Sequence, residues 1–273
     1  MPGVHLLDHI PLPLFPVLAT GCLYLAIEGG FRLGAWRLRQ AAHEKDTPVG
    51  AVVAATLGLV GFILAMTFGF AVSRFEGRQE AFLGELNAIG TTYLRADFLP
   101  EPQREKTKQL LREYVDIRLR AVEQRRIAEG ISRSEMLHEK MWATLTSLDP
   151  TNINSMSVTL FTYSLNELID LHERRVISGA RLRIPPTLWS VLLIISLLGM
   201  GEIGYQTALT GSTRTPVSMG LVIAFALLLS LVADLDRPLE GTLRINQSAM
   251  RELLQRLEPP APQPERREES LRR

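Results

Sequence analysis

Cysteine is almost absent from this chain, because Cys22 is the only one among 273 residues. A single cysteine excludes an intrachain disulfide and a metal site built on several cysteine ligands. An excess of one charge sign is also absent, since 30 Lys and Arg residues nearly balance 29 Asp and Glu residues. This balance argues against a nucleic-acid partner, whose binding surface would be strongly basic.

Motifs of catalysis and metal binding are missing as well. The sequence contains no G-x-S-x-G elbow, no Walker A loop and no H-E-x-x-H zinc motif. The histidines are scattered through the termini and charged helix faces, and we expect all of them at the solvated surface: His5, His9, His43, His138 and His172. We therefore predict that the protein is not an enzyme and has no catalytic residue, metal or cofactor.

The alternating pattern of β-strands is absent too, whereas long uncharged apolar runs are plentiful. Four runs lack Asp, Glu, Lys and Arg and are long enough, or nearly so, to cross a bilayer core of about 30 Å. They are Ile10–Ile27, Val49–Val72, Ile184–Gly201 and Thr215–Ala233. The first run has no basic residue before it and no small-residue cleavage site after it, so we expect a retained span rather than a signal peptide.

The second run does not end in a turn. It continues without proline into a charged segment that keeps an apolar stripe at helical spacing, so one long helix should leave the membrane and end near Leu99, before Pro100. The next helix should end near Gly130. Ser132 and Glu135 have the spacing of a capping box and predict the start of a third helix. A fourth helix should reach Arg183.

The sequence thus predicts an all-α integral membrane protein with four transmembrane helices and a helical cytoplasmic domain between helices two and three. The tail is rich in proline and charge, so we expect it to be disordered. The predicted boundaries are 10–31, 48–72, 184–209 and 215–235 for the transmembrane helices, 73–183 for the soluble domain, 236–257 for a helical tail segment and 258–273 for the disordered tail.

A stripe of large apolar side chains lies on the second span. Phe62, Met66 and Phe70 follow i, i+4, i+8 spacing and share one helix face. The stripe could contact lipid or pack against another span. Alternatively, it could form a hydrophobic constriction that gates a pore by dewetting. Small residues in the same span would allow close approach of a second helix: Gly58, Gly61 and Gly69.

Acidic residues stand at both membrane boundaries. Glu28 and Glu202 lie at the ends of spans one and three that face the same side. They could pair with neighbours at the interface, or could form an acidic vestibule at a pore mouth. On the opposite side, Asp234 and Asp236 follow span four and Arg74 follows span two, and we predict interhelical ion pairs among them.

The distribution of basic residues predicts the orientation. The first side carries Arg32, Arg37, Arg39, Lys45 and Arg214. The second side carries the larger set, which is Arg74, Arg78, Arg174, Arg175, Arg181, Arg183, Arg237, Arg244 and Arg251. The positive-inside rule therefore favours a cytoplasmic middle domain and cytoplasmic termini, although the basic first loop opposes this assignment.

Two segments resemble the bestrophins, and the bacterial bestrophin-like family is closer still. Phe68-Gly69-Phe70-x-x-x-Arg74-Phe75-Glu76-x-Arg78 resembles the segment in which the second helix of that family leaves the membrane. Asp234-Leu235-Asp236-Arg237-Pro238-Leu239-Glu240-Gly241 resembles its acidic-Pro-Phe-Gly turn after the fourth span, with Leu239 in place of the usual Phe. The order of four spans around a helical domain also matches.

This resemblance implies a pentameric, chloride-permeable channel in the bacterial inner membrane, with the second helix lining the pore. Phe70 then matches the innermost neck residue, and Met66 and Phe62 lie one and two turns earlier. The acidic run of the calcium clasp in animal members is absent after Gly241, so calcium gating is not implied. Expected partners are membrane lipid, small ions and further copies of the chain. A non-conducting scaffold or sensor is the alternative, and a lipid-modifying enzyme is a third.

Overall fold

The longest element, α2, runs from Val49 to Arg95, and a 3-10 turn, Ala96–Phe98, follows it. Its 47 residues contain no proline, so no backbone hydrogen bond is lost along a length of about 70 Å. The expected continuation of the second apolar run into the charged segment is confirmed. The computed structural model describes residues 10–40, 49–149, 155–181, 183–211, 216–238 and 241–258.

All regular elements in these described residues are helical, which confirms the all-α prediction for that part of the chain. A 3-10 turn, Leu12–Leu14, precedes the first helix. The other helices are α1 Phe15–Gln40, α3 Gln103–Glu123, α4 Ile127–Thr146, α5 Met156–Val176, α6 Pro186–Leu209, α7 Pro216–Asp236 and α8 Ser248–Leu257.

The chain divides into two units, and the first comprises residues 1–78 and 177–244. Its described part contains α1, the first part of α2, α6 and α7, each long and apolar enough to cross a membrane. The predicted number of spans is therefore confirmed. Side chains such as Leu192 and Leu229 are fully buried between these helices, whereas Leu25, Ile194 and Leu227 are more than half exposed, as suits contact with lipid.

Helices α1 and α6 pack against each other through glycines. A Cβ atom at Gly30 would lie 1.8 Å from the carbonyl oxygen of Gly201, and one at Gly204 would lie 2.0 Å from that of Ile27. At this crossing the two backbones are in direct contact. In lipid the hydrophobic effect does not drive helices together, so the pair is stabilised by close van der Waals packing of this kind.

The second unit comprises residues 79–176 and 245–273, and its described part contains the end of α2 with α3, α4, α5 and α8. Its core is formed by large buried side chains such as Tyr114, Met141 and Phe161. Helix α8 belongs to this core, because Met250 is fully buried and Leu257 accepts a hydrogen bond from the Tyr93 hydroxyl at 3.2 Å.

Two predicted helix limits are wrong. Helix α4 begins at Ile127 after a positive φ of 56° at Arg125, so Ser132 and Glu135 lie inside the helix rather than at a capping box. Gly130 does not end a helix. It lies inside α4 where this helix packs against α3, and a Cβ atom there would lie 2.3 Å from the Cβ of Ala121.

The fourth helix of the middle domain, α5, ends at Val176, and a π-helical turn, Ile177–Arg181, follows it. The predicted continuation of a regular helix to Arg183 is therefore also wrong. Residues 41–48 and 259–273 lie outside the described residues, so the predicted disorder of the tail stays a prediction.

Candidate functional site

The apolar part of α2 has two faces. Phe62, Met66 and Phe70 are 67%, 40% and 47% exposed within a single chain. The opposite stripe, which includes Leu64 and Ala71, is buried against the other spans. The three large side chains therefore do not serve as core of this chain, and they remain available to lipid or to another molecule.

Three glycines in the apolar part of α2 also face open space. A Cβ atom at Gly58, Gly61 or Gly69 would meet nothing within 4 Å among the described contacts. By contrast, a Cβ atom added to Gly199 of α6 would lie 3.4 Å from the Leu57 side chain of α2, which is an ordinary van der Waals distance. The predicted close approach at the α2 glycines does not occur within one chain.

Two aspartates at the end of α7 hold the segment that follows this helix. Asp234 accepts a hydrogen bond from the Thr242 amide at 2.7 Å and another from the Thr242 hydroxyl. Asp236 accepts one from the Ile184 amide at 2.8 Å and forms an ion pair with Arg183 at 3.1 Å. Both carboxylates thus connect the end of α7 to neighbouring backbone and fix the chain where it leaves the fourth span.

Arg78 of α2 reaches the same segment. It is buried, its Nη2 donates to the carbonyl oxygen of Leu235 at 2.5 Å, and the charge of Asp236 acts on it. Arg74, the predicted partner of the aspartates, is only half-buried, and the described ion pairs of Asp236 do not include it. The basic residue that connects α2 to this segment is therefore Arg78, one turn later.

The two predicted vestibule residues have different surroundings. Glu28 forms an ion pair with Arg32, four residues later on α1, at 2.7 Å. Glu202 of α6 is half-buried, and its Oε2 is buried without a described hydrogen-bond partner. The pairing that the sequence suggested for Glu28 is present, whereas the described part of the chain supplies no hydrogen-bond partner for Glu202 Oε2.

A buried polar cluster, not anticipated from the sequence, lies in the second unit. Glu85 is 0% exposed, and its carboxylate accepts a hydrogen bond from the Tyr114 hydroxyl at 2.5 Å. Arg118 lies 3.1 Å from the same carboxylate, and Arg175 forms a second ion pair with it. The cluster draws on helices α2, α3, α4 and α5, and its members are Glu85, Tyr114, Arg118, His138, His172 and Arg175.

The two histidines of this cluster are buried, so the expectation of solvated histidines is wrong for both. His172 Nδ1 lies 2.9 Å from the Tyr114 hydroxyl. The ring of His138 lies 4.8 Å from that of His172 and 5.0 Å from that of Tyr114. Both histidines also have a buried Nε2 atom without a described hydrogen-bond partner.

The electrostatics of the cluster follow from burial and from the central carboxylate. Burial opposes ionisation of Glu85, but the charges of Arg118 and Arg175 hold its pKa well below the usual range. Burial and the carboxylate of Glu85 raise the pKa of Tyr114, so its hydroxyl keeps its proton. Burial, together with the neighbouring ring of His172, lowers the pKa of His138 from 6.5 to about 4.

The sequence contains one indication of this buried cluster, which is the position of Glu85. Glu85 lies three residues after Phe82 and four before Ile89, so it falls within the apolar stripe of α2. A charged residue in such a stripe indicates a buried partner of opposite charge. Which residues supply that partner is not apparent from spacing alone. In the described residues no three His, Cys, Asp or Glu side chains are grouped so as to hold a metal.

Comparison with known proteins gives two matches. The model of the Bestrophin-like domain matches residues 21–250 of this chain. The fold is also similar to a solved crystal structure of a membrane protein, with a TM-score of 0.59 at 16% identity, over 90% of this chain and 96% of that one. At this identity the likeness shows the fold alone. No curated protein sequence matches.

Proposed function

The chain belongs to the bestrophin-like family, and on that premise we propose that it assembles into a homo-oligomeric ring, a pentamer by family resemblance, that conducts small ions. The conducting path runs along α2 through a neck of Phe62, Met66 and Phe70, and the resemblance suggests anions. One observation carries the proposal: these large apolar side chains are exposed on the isolated chain, on the face of α2 opposite its packed stripe.

The neck has a clear physical consequence. The three residues extend over about 12 Å of helix. Several copies of a large apolar side chain at one level leave a narrow passage that water wets poorly, so ions cross only when the passage widens. The open space beside Gly58, Gly61 and Gly69 is compatible with close approach of α2 from another copy.

We further propose that the second unit and both termini face the cytoplasm and that the host membrane is the bacterial inner membrane. The larger set of arginines flanks spans two, three and four on that side. The test is a Glu105→Cys variant in a Cys22→Ser background, since the Glu105 side chain is 65% exposed. A membrane-impermeant thiol reagent should label it only after the cells are opened. Labelling in intact cells would reverse the assignment.

The decisive experiment is ion flux from protein-loaded liposomes with Phe62, Met66 and Phe70 all replaced by alanine. Removing the apolar side chains should widen and wet the neck, and flux should rise about tenfold or more. The oligomer is measured on the same preparation by native mass spectrometry, which should show a ring of several copies.

A matched control uses exposed apolar residues elsewhere. Ile194→Ala with Leu198→Ala removes two side chains that are 56% and 58% exposed on α6. This double variant should leave flux unchanged. A rise equal to that of the triple variant would indicate general leakage. A stable triple variant with background flux, or a monomer, would contradict the channel and favour the non-conducting scaffold or sensor.

A further inference from the structure

The buried cluster of the second unit has a fixed pattern of protons. Tyr114 has one hydroxyl proton, and the ionised carboxylate of Glu85 can only accept, so Tyr114 donates to Glu85. The lone pairs of the hydroxyl are then left for His172, whose Nδ1 must carry a proton to donate across 2.9 Å. In the neutral ring of His172 the bare nitrogen is therefore Nε2, which is buried without a described partner.

Two guanidinium groups already share the central carboxylate of the cluster. Glu85 contributes one negative charge, and Arg118 and Arg175 each contribute one positive charge. The two arginine side chains are only 8% and 13% exposed, so a protonated His138 would be a third positive group in a largely desolvated site. The ionisable groups that act on His138 from the packed helices are His172, Glu85 and Arg118, and only one of these is an anion.

We propose that this cluster is an acid-sensitive latch: uptake of a proton by His138 adds a buried positive charge close to Arg118 and opens the four-helix packing of the second unit. The imidazolium would face the ring of His172 at 4.8 Å, and its buried Nε2 has no hydrogen-bond partner among the described residues. A buried charge without a partner is expensive, so the protonated state is reached through a more open and hydrated arrangement. The inference concerns the second unit and does not depend on ion conduction.

The sign and the pH window follow from linkage. A histidine whose pKa is lowered by folding stabilises the folded unit above its unfolded pKa, and this stability is lost as pH falls. Burial, with His172 nearby, takes the pKa of His138 from 6.5 to about 4. The equilibrium constant for opening should therefore rise about 30-fold between about pH 7.5 and about pH 5. Glu85 has a lowered pKa, so its own contribution is lost only at still lower pH.

The experiment is hydrogen exchange of the full chain in detergent, read by mass spectrometry on peptides from α3, α4 and α5. Exchange is measured at about pH 7.5 and about pH 5 and corrected for the intrinsic chemical rate, which gives the opening constant. The wild-type protein should show the rise. His138→Gln, which cannot take up a proton, should reduce the ratio between the two pH values by about tenfold or more.

His43→Gln serves as the matched control, since it removes a histidine elsewhere in the chain. It should keep the wild-type ratio. The latch is overturned by a wild-type protein with no pH response in this window, by His138→Gln with an unchanged response, or by an equal effect of His43→Gln.

A second measurement covers the case in which His138→Gln fails to fold. Wild-type protein labelled with ¹³C in the histidine rings is titrated by NMR. The ring of His138 should titrate near pH 4, together with increased exchange of α4. Titration near the ordinary value of 6.5, with the helices still protected, would overturn the proposal. Neither readout involves flux, so a non-conducting protein can still show the latch.

Discussion

Gly241 lies so close to Asp234 that a Cβ atom added to it would lie 2.2 Å from the Asp234 Oδ1 atom. The same Cβ would lie 2.8 Å from the Asp234 carbonyl oxygen, which belongs to the backbone and cannot rotate away. The Asp234 carboxylate accepts a hydrogen bond from the Thr242 amide at 2.7 Å. It therefore occupies the space that any side chain at position 241 would need. The turn after the fourth span therefore requires glycine for close approach.

Gly241→Ala should destabilise the protein by about 2–3 kcal/mol, because overpacking forces the turn to shift and weakens the hydrogen bonds of Asp234. The measurement is the thermal unfolding midpoint in detergent. Gly77→Ala is the control, since a Cβ there meets nothing within 4 Å in α2. That change should stabilise by about 0.5–1 kcal/mol. Equal effects of both variants would contradict the close contact.

Two adjacent glycines of α1 should behave in opposite ways. Gly30→Ala places a Cβ 1.8 Å from the Gly201 carbonyl oxygen, so α1 and α6 must separate, and the loss should be at least about 1–3 kcal/mol. Gly29→Ala meets nothing within 4 Å and should be neutral or slightly stabilising. Unfolding in a detergent mixture measures both. A tolerated Gly30→Ala would contradict the direct backbone contact.

Removal of the central carboxylate should unfold the second unit. Glu85→Ala leaves Arg118 and Arg175 buried without their anion, and breaking a buried pair in this way costs about 3–5 kcal/mol. Asp116→Ala is the control, because its pair with Arg120 is solvent-exposed and such pairs contribute about 0–1 kcal/mol. Limited proteolysis and thermal unfolding measure the difference in stability between the two variants. Similar stability of the two variants would show that Glu85 does not hold the cluster.

The choice between Arg74 and Arg78 is directly testable. Arg78→Ala should destabilise by about 2–4 kcal/mol, because the carbonyl oxygen of Leu235 and the charge of Asp236 lose a buried partner. Arg74→Ala should change stability by no more than about 0.5 kcal/mol. Thermal unfolding of the two variants in one detergent is sufficient. A larger effect at Arg74 would restore the ion pair expected from the sequence.

Patterns within single segments of the sequence predicted the number of spans and the length of α2. A continuous apolar run as long as Val49–Val72 suits a helix, which satisfies its backbone hydrogen bonds within one segment, so the number of spans follows from composition. The uninterrupted α2 likewise follows from the absence of proline up to Pro100. The start of α4 could not be obtained in this way, because Gly130 serves the packing against Ala121 and not the helix end.

The sequence by itself determined the helical class, the four spans and the shared face of Phe62, Met66 and Phe70, since each depends on periodicity within one helix. Only the tertiary structure decided that Arg78 rather than Arg74 reaches the fourth span. The two are four residues apart, which differs from a full turn of 3.6 residues by only about 40°.

The tertiary structure also brought His138 and His172 to Glu85, although His172 lies 87 residues from Glu85 along the chain. Such contacts are set by which helices pack together, and helical periodicity reports the buried face of each helix but not its neighbour.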